Sequence, residues 1–371
     1  MNEVIIIGGN HHNALGVIRA LGEVGFSPIL ILTTKEKKPF VSYSKYLKRV
    51  IVLESDEKII ETLLSKCKSK ESKSVVICCS DSSSSIIDLN RDKLLPFFCL
   101  PGAKEQGRIT YLMNKQVMSD LATSVGLQVP ITLLGKEIDN NNLPLPCIIK
   151  PIISKDGTKQ EIHICYSKEE VNKYVNEIGP EKVQVQEFID KELEYQLIGC
   201  STSKEVIIPG ISKIIRPCKG SNTSFLHYEP VDNGLYNINK CKEFVERTGY
   251  KGLFSVEFLR DKKGVDFFME INFRNDGNAI CVTEAGVNLP YIWYLSSLDL
   301  EYIQESSKIV KNCYIMPDWA EFELLHTRQI SFGDFYRDLK KTNRFMEYDK
   351  KDPKPFWRML WNKILTKFNN S

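Results

Sequence analysis

Residues 252–274 constrain the architecture of this chain more than any other stretch. Two apolar runs, Gly252-Leu-Phe-Ser-Val-Glu257-Phe-Leu and Phe267-Phe-Met-Glu270-Ile-Asn272-Phe-Arg274, flank the polar turn Asp261-Lys-Lys-Gly-Val-Asp266, which is the pattern of a β-hairpin. Side chains alternate faces along a strand. Glu270, Asn272 and Arg274 therefore share one face, while Phe267, Met269, Ile271 and Phe273 fill the other. If the turn closes symmetrically, Glu257 lies opposite Glu270. Like charges directly opposite repel, so a cation is expected between them, and carboxylate and carboxamide oxygens are hard ligands of the kind Mg²⁺ takes, usually shared with a nucleotide's phosphates. The competing reading is a solvated face on which Glu and Arg merely pair. Against it stands the combination of types, since Glu257 and Glu270-x-Asn272-x-Arg274 supply both metal ligands and a guanidinium for phosphate charge.

Three upstream segments carry matching chemistry. Pro146-Cys-Ile-Ile-Lys150-Pro is a strand ending in a lysine, Val183-Gln-Val-Gln-Glu187-Phe188 leads through Lys191 to Glu194-Tyr, and Tyr111-Leu-Met-Asn-Lys115 opens a helical stretch. With the hairpin, and in this order, these segments resemble the ATP-grasp superfamily over about residues 1–300. The resemblance implies that Glu257, Glu270 and Asn272 hold Mg²⁺, with Mn²⁺ as a substitute, and that Lys115 and Lys150 hold the phosphates of ATP. It implies that the Glu187–Phe188 backbone meets adenine, that Glu194 meets the ribose hydroxyls, and that Arg274 stabilises an acyl phosphate. The loop Ile153-Ser154-Lys155-Asp156-Gly157-Thr158-Lys159 departs from the family's Gly- and Ser-rich pattern. Its Ser154 and Gly157 are still candidates for cradling phosphate through backbone donors, and a solvated hairpin turn is the alternative.

The chain has 371 residues, 42% hydrophobic and 26% charged, with 50 basic and 47 acidic residues and a net charge of +3. This is an ordinary globular composition with room for two or three domains. It gives no nucleic-acid footprint, because neither a basic stripe nor an aromatic platform accompanies the small net charge. The 11 cysteines are scattered, with no Cys-x-x-Cys pair or His cluster at zinc-site spacing, which fits reduced thiols and a cytoplasmic setting. No run approaches the length of a membrane span.

The N-terminal part reads as a βαβ start. Glu3-Val-Ile-Ile-Ile-Gly8-Gly9-Asn10 is a buried-type strand, Ala14, Val17, Ile18 and Leu21 follow at helical spacing, and Pro28-Ile-Leu-Ile-Leu-Thr33 is a second strand. A parallel sheet is the expectation. Gly8-Gly9 is not a dinucleotide fingerprint, since no Gly-x-Gly-x-x-Gly is present and no acidic residue closes the second strand. That leaves a nicotinamide oxidoreductase as the weakest alternative. Ser74-Val-Val-Ile-Cys-Cys-Ser80-Asp81 repeats the pattern. Open α/β sheets bind ligands at their strands' carboxyl ends, so His11, His12, Ser80 and Asp81 are substrate candidates. A helix cap explains Ser80 or Asp81 equally well.

The expected fold is α/β, α+β in its second part: an N-terminal parallel-sheet pre-ATP-grasp domain (1–100) and a two-lobed ATP-grasp module (101–300). The module divides into a lid lobe of about 125–190 and a metal-binding lobe of about 191–300, and a C-terminal extension covers 301–371. Lys213 and Arg216, before the basic Ser-rich loop 217–224, are candidates to touch the transferred phosphoryl group, with a solvated loop as the alternative. Near the end, Trp357, Leu360, Trp361, Ile364 and Phe368 fall at helical spacing beside Arg358, Lys363 and Lys367. Such a helix in 356–368 either packs on the body or a second subunit, its commoner fate, or lies on an anionic membrane surface.

The function implied by the resemblance is a ligase that activates a carboxylate as an acyl phosphate and couples it to an amine, releasing ADP and phosphate. Small-molecule carboxylate and amine substrates are the implied partners. The alternatives are a bicarbonate-dependent carboxylating enzyme and a nucleotide-binding regulatory module without turnover. A homodimer is the base-rate expectation for the assembly.

Overall fold

The computed structural model describes residues 2–69, 71–138, 143–151, 163–217, 224–231 and 234–369. Strands β1 (Val4–Gly9), β2 (Ile29–Thr33), β3 (Arg49–Leu53), β4 (Ser74–Cys78) and β5 (Phe98–Cys99) form a parallel sheet in the order β3-β2-β1-β4-β5. The unbroken Val-Ile-Ile-Ile run of β1 follows from burial on both faces: Val4 and Ile6 join one core cluster, Ile5 and Ile7 another. Helices α1 (His12–Gly22) and α2 (Asp81–Leu89) begin just beyond the carboxyl ends of β1 and β4. The sheet expected over residues 1–100 is thus present.

After α3 (Lys115–Ser124), whose first turn is capped by Asn114, comes a small antiparallel sheet. Its strands β6 (Thr132–Leu134), β7 (Cys147–Pro151), β8 (His163–Cys165) and β9 (Val183–Glu187) run in the order β6-β9-β7-β8, covered by α4 (Lys168–Ile178). The core under that helix is small and self-contained, built from Cys147, Ile149, Cys165, Val171, Val175, Val183 and Val185.

The largest sheet is built on β10 (Lys191–Ser201), β11 (Val206–Ile207), β12 (Gly210–Pro217), β13 (Ser224–Pro230), β14 (Gly252–Asp261) and β15 (Asp266–Asn272). Its face carrying Tyr195, Phe254, Phe258 and Phe268 packs under α5 (Ile238–Thr248). Ile198, Cys200, Leu226 and Tyr228 belong instead to the cluster that includes α1 and α6 (Leu289–Ser297). Trp293 of α6 also donates to the Val76 carbonyl of β4 at 3.0 Å. The first sheet and the largest sheet therefore share one core.

Residues beyond 300 do not form a separate extension. β16 (Cys313–Met316) adds to β13 in the large sheet, α7 (Asp318–His326) and α8 (Phe332–Lys341) follow, and β17 (Arg344–Phe345) pairs with β16. The last helix, α9 (Lys354–Asn369), lies against Phe40–Tyr43. Arg358 sits 4.5 Å from the Tyr43 ring centroid, Asn362 donates to the Lys38 carbonyl, and Lys363 sits 4.2 Å from the Trp319 ring centroid. Of the two fates open to this helix, packing on the body is the one observed. Its anchor is a buried ion pair: Arg19, 1% exposed, meets Asp352, also 1% exposed, at 3.2 Å, and donates to the Met346, Glu347 and Asp352 carbonyls.

Candidate functional site

The hairpin closes in the register that sets Glu257 opposite Glu270 and Ser255 opposite Asn272. One detail differs from strict alternation. A bulge follows Glu257, so Phe258 pairs with Phe268, and Phe268 joins Ile271 and Phe273 in the core under α5, while Phe267 is buried outside that cluster. An extra residue on one strand shifts every side chain beyond it by one.

Burial brings the two carboxylates into conflict. Burial, and after it the charge of Glu270, pushes Glu257 up to about 8. Glu270 is also raised by burial, with Lys115, Arg274 and Lys150 pulling it back. Around this pair the polar groups form a connected frame. Gln196 and Asn272 each donate to Glu257 Oε1 at 3.2 Å, Asn278 donates to Gln196 at 2.9 Å, and Arg274 donates to Asn272 Oδ1 at 3.0 Å. Arg274 also meets Asp81 at 3.0 Å and Asp276 at 3.6 Å. Asp276 is held in turn by Ser255 at 2.8 Å.

Two lysines reach the frame from outside the hairpin. Lys150, at the end of β7, donates to Gln186 at 2.8 Å. Burial, then the nearby charge of Lys115, lowers it to about 8, while Glu270 opposes the change. Lys115 opens α3, which packs on β15. Two carboxylates that repel across one register step, a carboxamide and two flanking ammonium groups suit a divalent cation shared with a polyphosphate. Among the described residues no group of three or more His, Cys, Asp and Glu side chains could hold a metal ion, so the remaining ligands would come from the nucleotide and water.

Solved structures with a similar fold include the L-amino acid ligase from Bacillus licheniformis, at TM-score 0.63 and 15% identity, covering 84% of this chain and 79% of that one. N5-carboxyaminoimidazole synthetase from Staphylococcus aureus complexed with ADP aligns at TM-score 0.67 and 14% identity, over 90% and 87%. The biotin carboxylase domain of the Hydrogenobacter thermophilus 2-oxoglutarate carboxylase, in complex with MgADP, ADP and bicarbonate, aligns at 0.62 and 16%, over 83% and 73%. The chain has the ATP-grasp fold. No protein-family model and no curated protein matches it in sequence.

Glu187 and Phe188 lie between the small and large sheets, at the end of β9 and before β10. Glu187 accepts from Ile131 N at 3.1 Å through its carboxylate, and the Phe188 amide donates to the Pro146 carbonyl at 2.9 Å. Glu194 precedes Gln196 by two on β10, hence shares its face, and is close enough to Glu257 to raise it; its carboxylate is paired with Lys191. Ser154 and Gly157 lie outside the described residues.

Lys213 and Arg216 are corrected. Lys213 pairs across β10 with Tyr195, and so points to the α5 face, away from Glu257, where it binds Glu229 at 2.5 Å. A bulge between Ile214 and Arg216 puts Arg216 beside Phe225 on that same face, and it binds Glu321 of α7 at 2.6 Å and Asp338 of α8 at 3.0 Å. Neither cation reaches the carboxylate frame. Strand alternation settles Lys213, but the bulge and the acidic partners, more than a hundred residues downstream, left no mark in the local sequence.

The four substrate candidates split. Ser80 caps α2, accepting from Ser83 N at 3.1 Å, while Asp81 faces Arg274. His11 caps α1, its Nδ1 accepting from Asn13 N at 3.3 Å. Burial and then Arg274 lower its pKa, so the neutral ring presents an Nε2–H donor. His12 is buried, with Nδ1 3.9 Å from Glu347 Oε1. Gly277 packs so close that a Cβ there would sit 2.9 Å from His12 Nε2. Gln186, Gln196, Ser255, Asp276 and Asn278 were not anticipated. Gln196 was findable, two residues beyond Glu194 on the same strand face.

Proposed function

We propose that this protein is an ATP- and Mg²⁺-dependent ligase that activates a carboxylate as an acyl phosphate and joins it to an amine. The observation that carries the reading is the half-buried Glu257–Glu270 pair with Asn272 and Arg274 beside it and the charges of Lys115 and Lys150 acting on Glu270. Glu257, Glu270 and Asn272 would hold Mg²⁺, which supplies charge neutralisation on the transferring phosphoryl group.

The residues' own work is positioning and charge balance. Lys150, fixed by Gln186, and Lys115 bind phosphate oxygens, the Glu187–Phe188 segment and Glu194 take the base and ribose, and Arg274 orients the acyl phosphate. A carboxylate oxygen attacks the γ-phosphorus as the bond to ADP breaks. The amine nitrogen then attacks the acyl carbon and phosphate departs, the amine's proton leaving to solvent. His11, as a neutral donor beside Arg274, is placed to hold an oxygen of the bound acid. Small-molecule carboxylate and amine substrates follow from this chemistry.

A second reading has bicarbonate as the carboxylate, supported by the similar carboxylase domain in complex with MgADP and bicarbonate. The test is ADP release from Mg-ATP against a panel of amino acids, small carboxylates and bicarbonate, with and without amines. Release requiring one acid and one amine, lost in Glu270→Gln, fits the ligase. Bicarbonate dependence selects the second reading, and release undiminished in Glu270→Gln contradicts both.

A further inference from the structure

The last helix has two apolar faces, and only one is covered. Phe356 and Met359 pack inward with the core that includes α1 and α6. Trp357, Trp361, Ile364 and Leu365, at i, i+4, i+7 and i+8, share the opposite face and are 57%, 55%, 38% and 44% exposed. Residues of that spacing form one stripe on a helix. The described part of α9 contains no acidic residue.

Charge is concentrated at this end of the chain. Residues 350–371 contain Lys350, Lys351, Lys354, Arg358, Lys363 and Lys367 against Asp352 alone, a net +5. The whole chain carries +3, so residues 1–349 sum to −2. Asp352 is buried against Arg19 and offsets none of the exposed cations Lys350, Lys351 and Lys354, while Arg358 and Lys363 lie over the Tyr43 and Trp319 rings. A second copy of this face across a twofold axis would set cation against cation.

We propose that the outer face of α9 is a docking surface for an anionic lipid bilayer, on which the helix lies flat while its inner face stays packed on the body. Tryptophan suits the boundary between headgroups and acyl chains, with an apolar ring and one N–H donor. Lysine and arginine bury their stems and keep their charges among the headgroups. Each such cation near an anionic surface strengthens partitioning about fivefold. Binding of this kind needs no spanning segment, and no helix among the described residues is long and apolar enough to cross a membrane.

The test is flotation of the full-length protein with vesicles of phosphatidylcholine alone or mixed with phosphatidylglycerol, at low and high salt. The proposal expects flotation with the anionic vesicles only, weakened by salt. Trp357→Ser/Trp361→Ser should weaken it about tenfold or more, and Lys354→Glu, at an exposed position, several-fold. Melting temperatures should match wild type, since these side chains face solvent. Failure of the wild type to float with anionic vesicles at low salt would overturn the proposal, as would flotation undiminished in both variants. A dimer in light scattering that the tryptophan substitutions dissociate would also overturn it, by assigning the face to a second copy. Loss or retention of ligase turnover is a separate readout.

Discussion

At Glu257 the site's electrostatics can be read through a proton. Its carboxyl ordinarily titrates near 4.5 and is pushed up to about 8. A group raised in the folded state contributes stability that is complete below its unfolded value and is lost as pH rises through its folded value. The ligand-free protein should therefore lose this group's share of stability between pH 4.5 and about 8, and saturating Mg-ATP should reduce that loss in thermal melts. Mg²⁺ binding must displace the proton, so Mg²⁺ affinity at fixed ATP should rise about tenfold per pH unit below about 8; a flat profile in calorimetry would exclude Glu257 as a ligand. Lys213 gives a contrasting prediction, because it lies on the far face of the sheet. Lys213→Ala should keep turnover within about twofold, whereas Lys150→Ala should lower it on the order of a hundredfold, both read as ADP release. The carboxylates were legible in the sequence because alternation alone puts Glu270, Asn272 and Arg274 together. The contact of His12 with Glu347 was not. The loop carrying Glu347 reaches His12 through the Arg19 anchor, and nothing local to residue 12 encodes it.

At the scale of elements, the same rule that located the hairpin also limited it. Period-two alternation predicts faces until a bulge intervenes, and the bulges after Glu257 and near Arg216 moved Phe268 into the core and Arg216 off the site face. The first has no glycine or proline beside it, whereas Pro217 follows the second. The β1–α1 and β4–α2 units were read correctly because their strands are continuous apolar runs and Ser80 is a strong cap. The fastening of the C-terminal segment rests on Arg19 and Asp352. Asp352→Ala leaves a guanidinium buried without its charge partner and should cost about 3–5 kcal/mol in urea unfolding. Arg19→Met/Asp352→Leu should recover much of that loss. Equal destabilisation of single and double variants would mean that volume rather than charge matters at this contact.

Across the whole molecule, the carboxylate frame draws on three sheets. The carboxylates come from β14 and β15, Lys150 from the small sheet, and Asp81 and His11 from the carboxyl edge of the parallel sheet. Motif order in the sequence was enough to anticipate the fold. It was not enough to place residues 301–371, since β16 joins β13 and Glu321 and Asp338 take up Arg216 through pairings far apart along the chain. The central claim is that the Glu257–Glu270 pair holds the metal of a bound nucleotide. The most direct measurement is calorimetric titration with ATP, with and without Mg²⁺, of wild type and of Glu257→Gln/Glu270→Gln. The predicted result is binding that requires Mg²⁺ in wild type and is weakened at least about tenfold in the variant. ATP binding of equal strength in both proteins, or independent of Mg²⁺ in wild type, would contradict the claim.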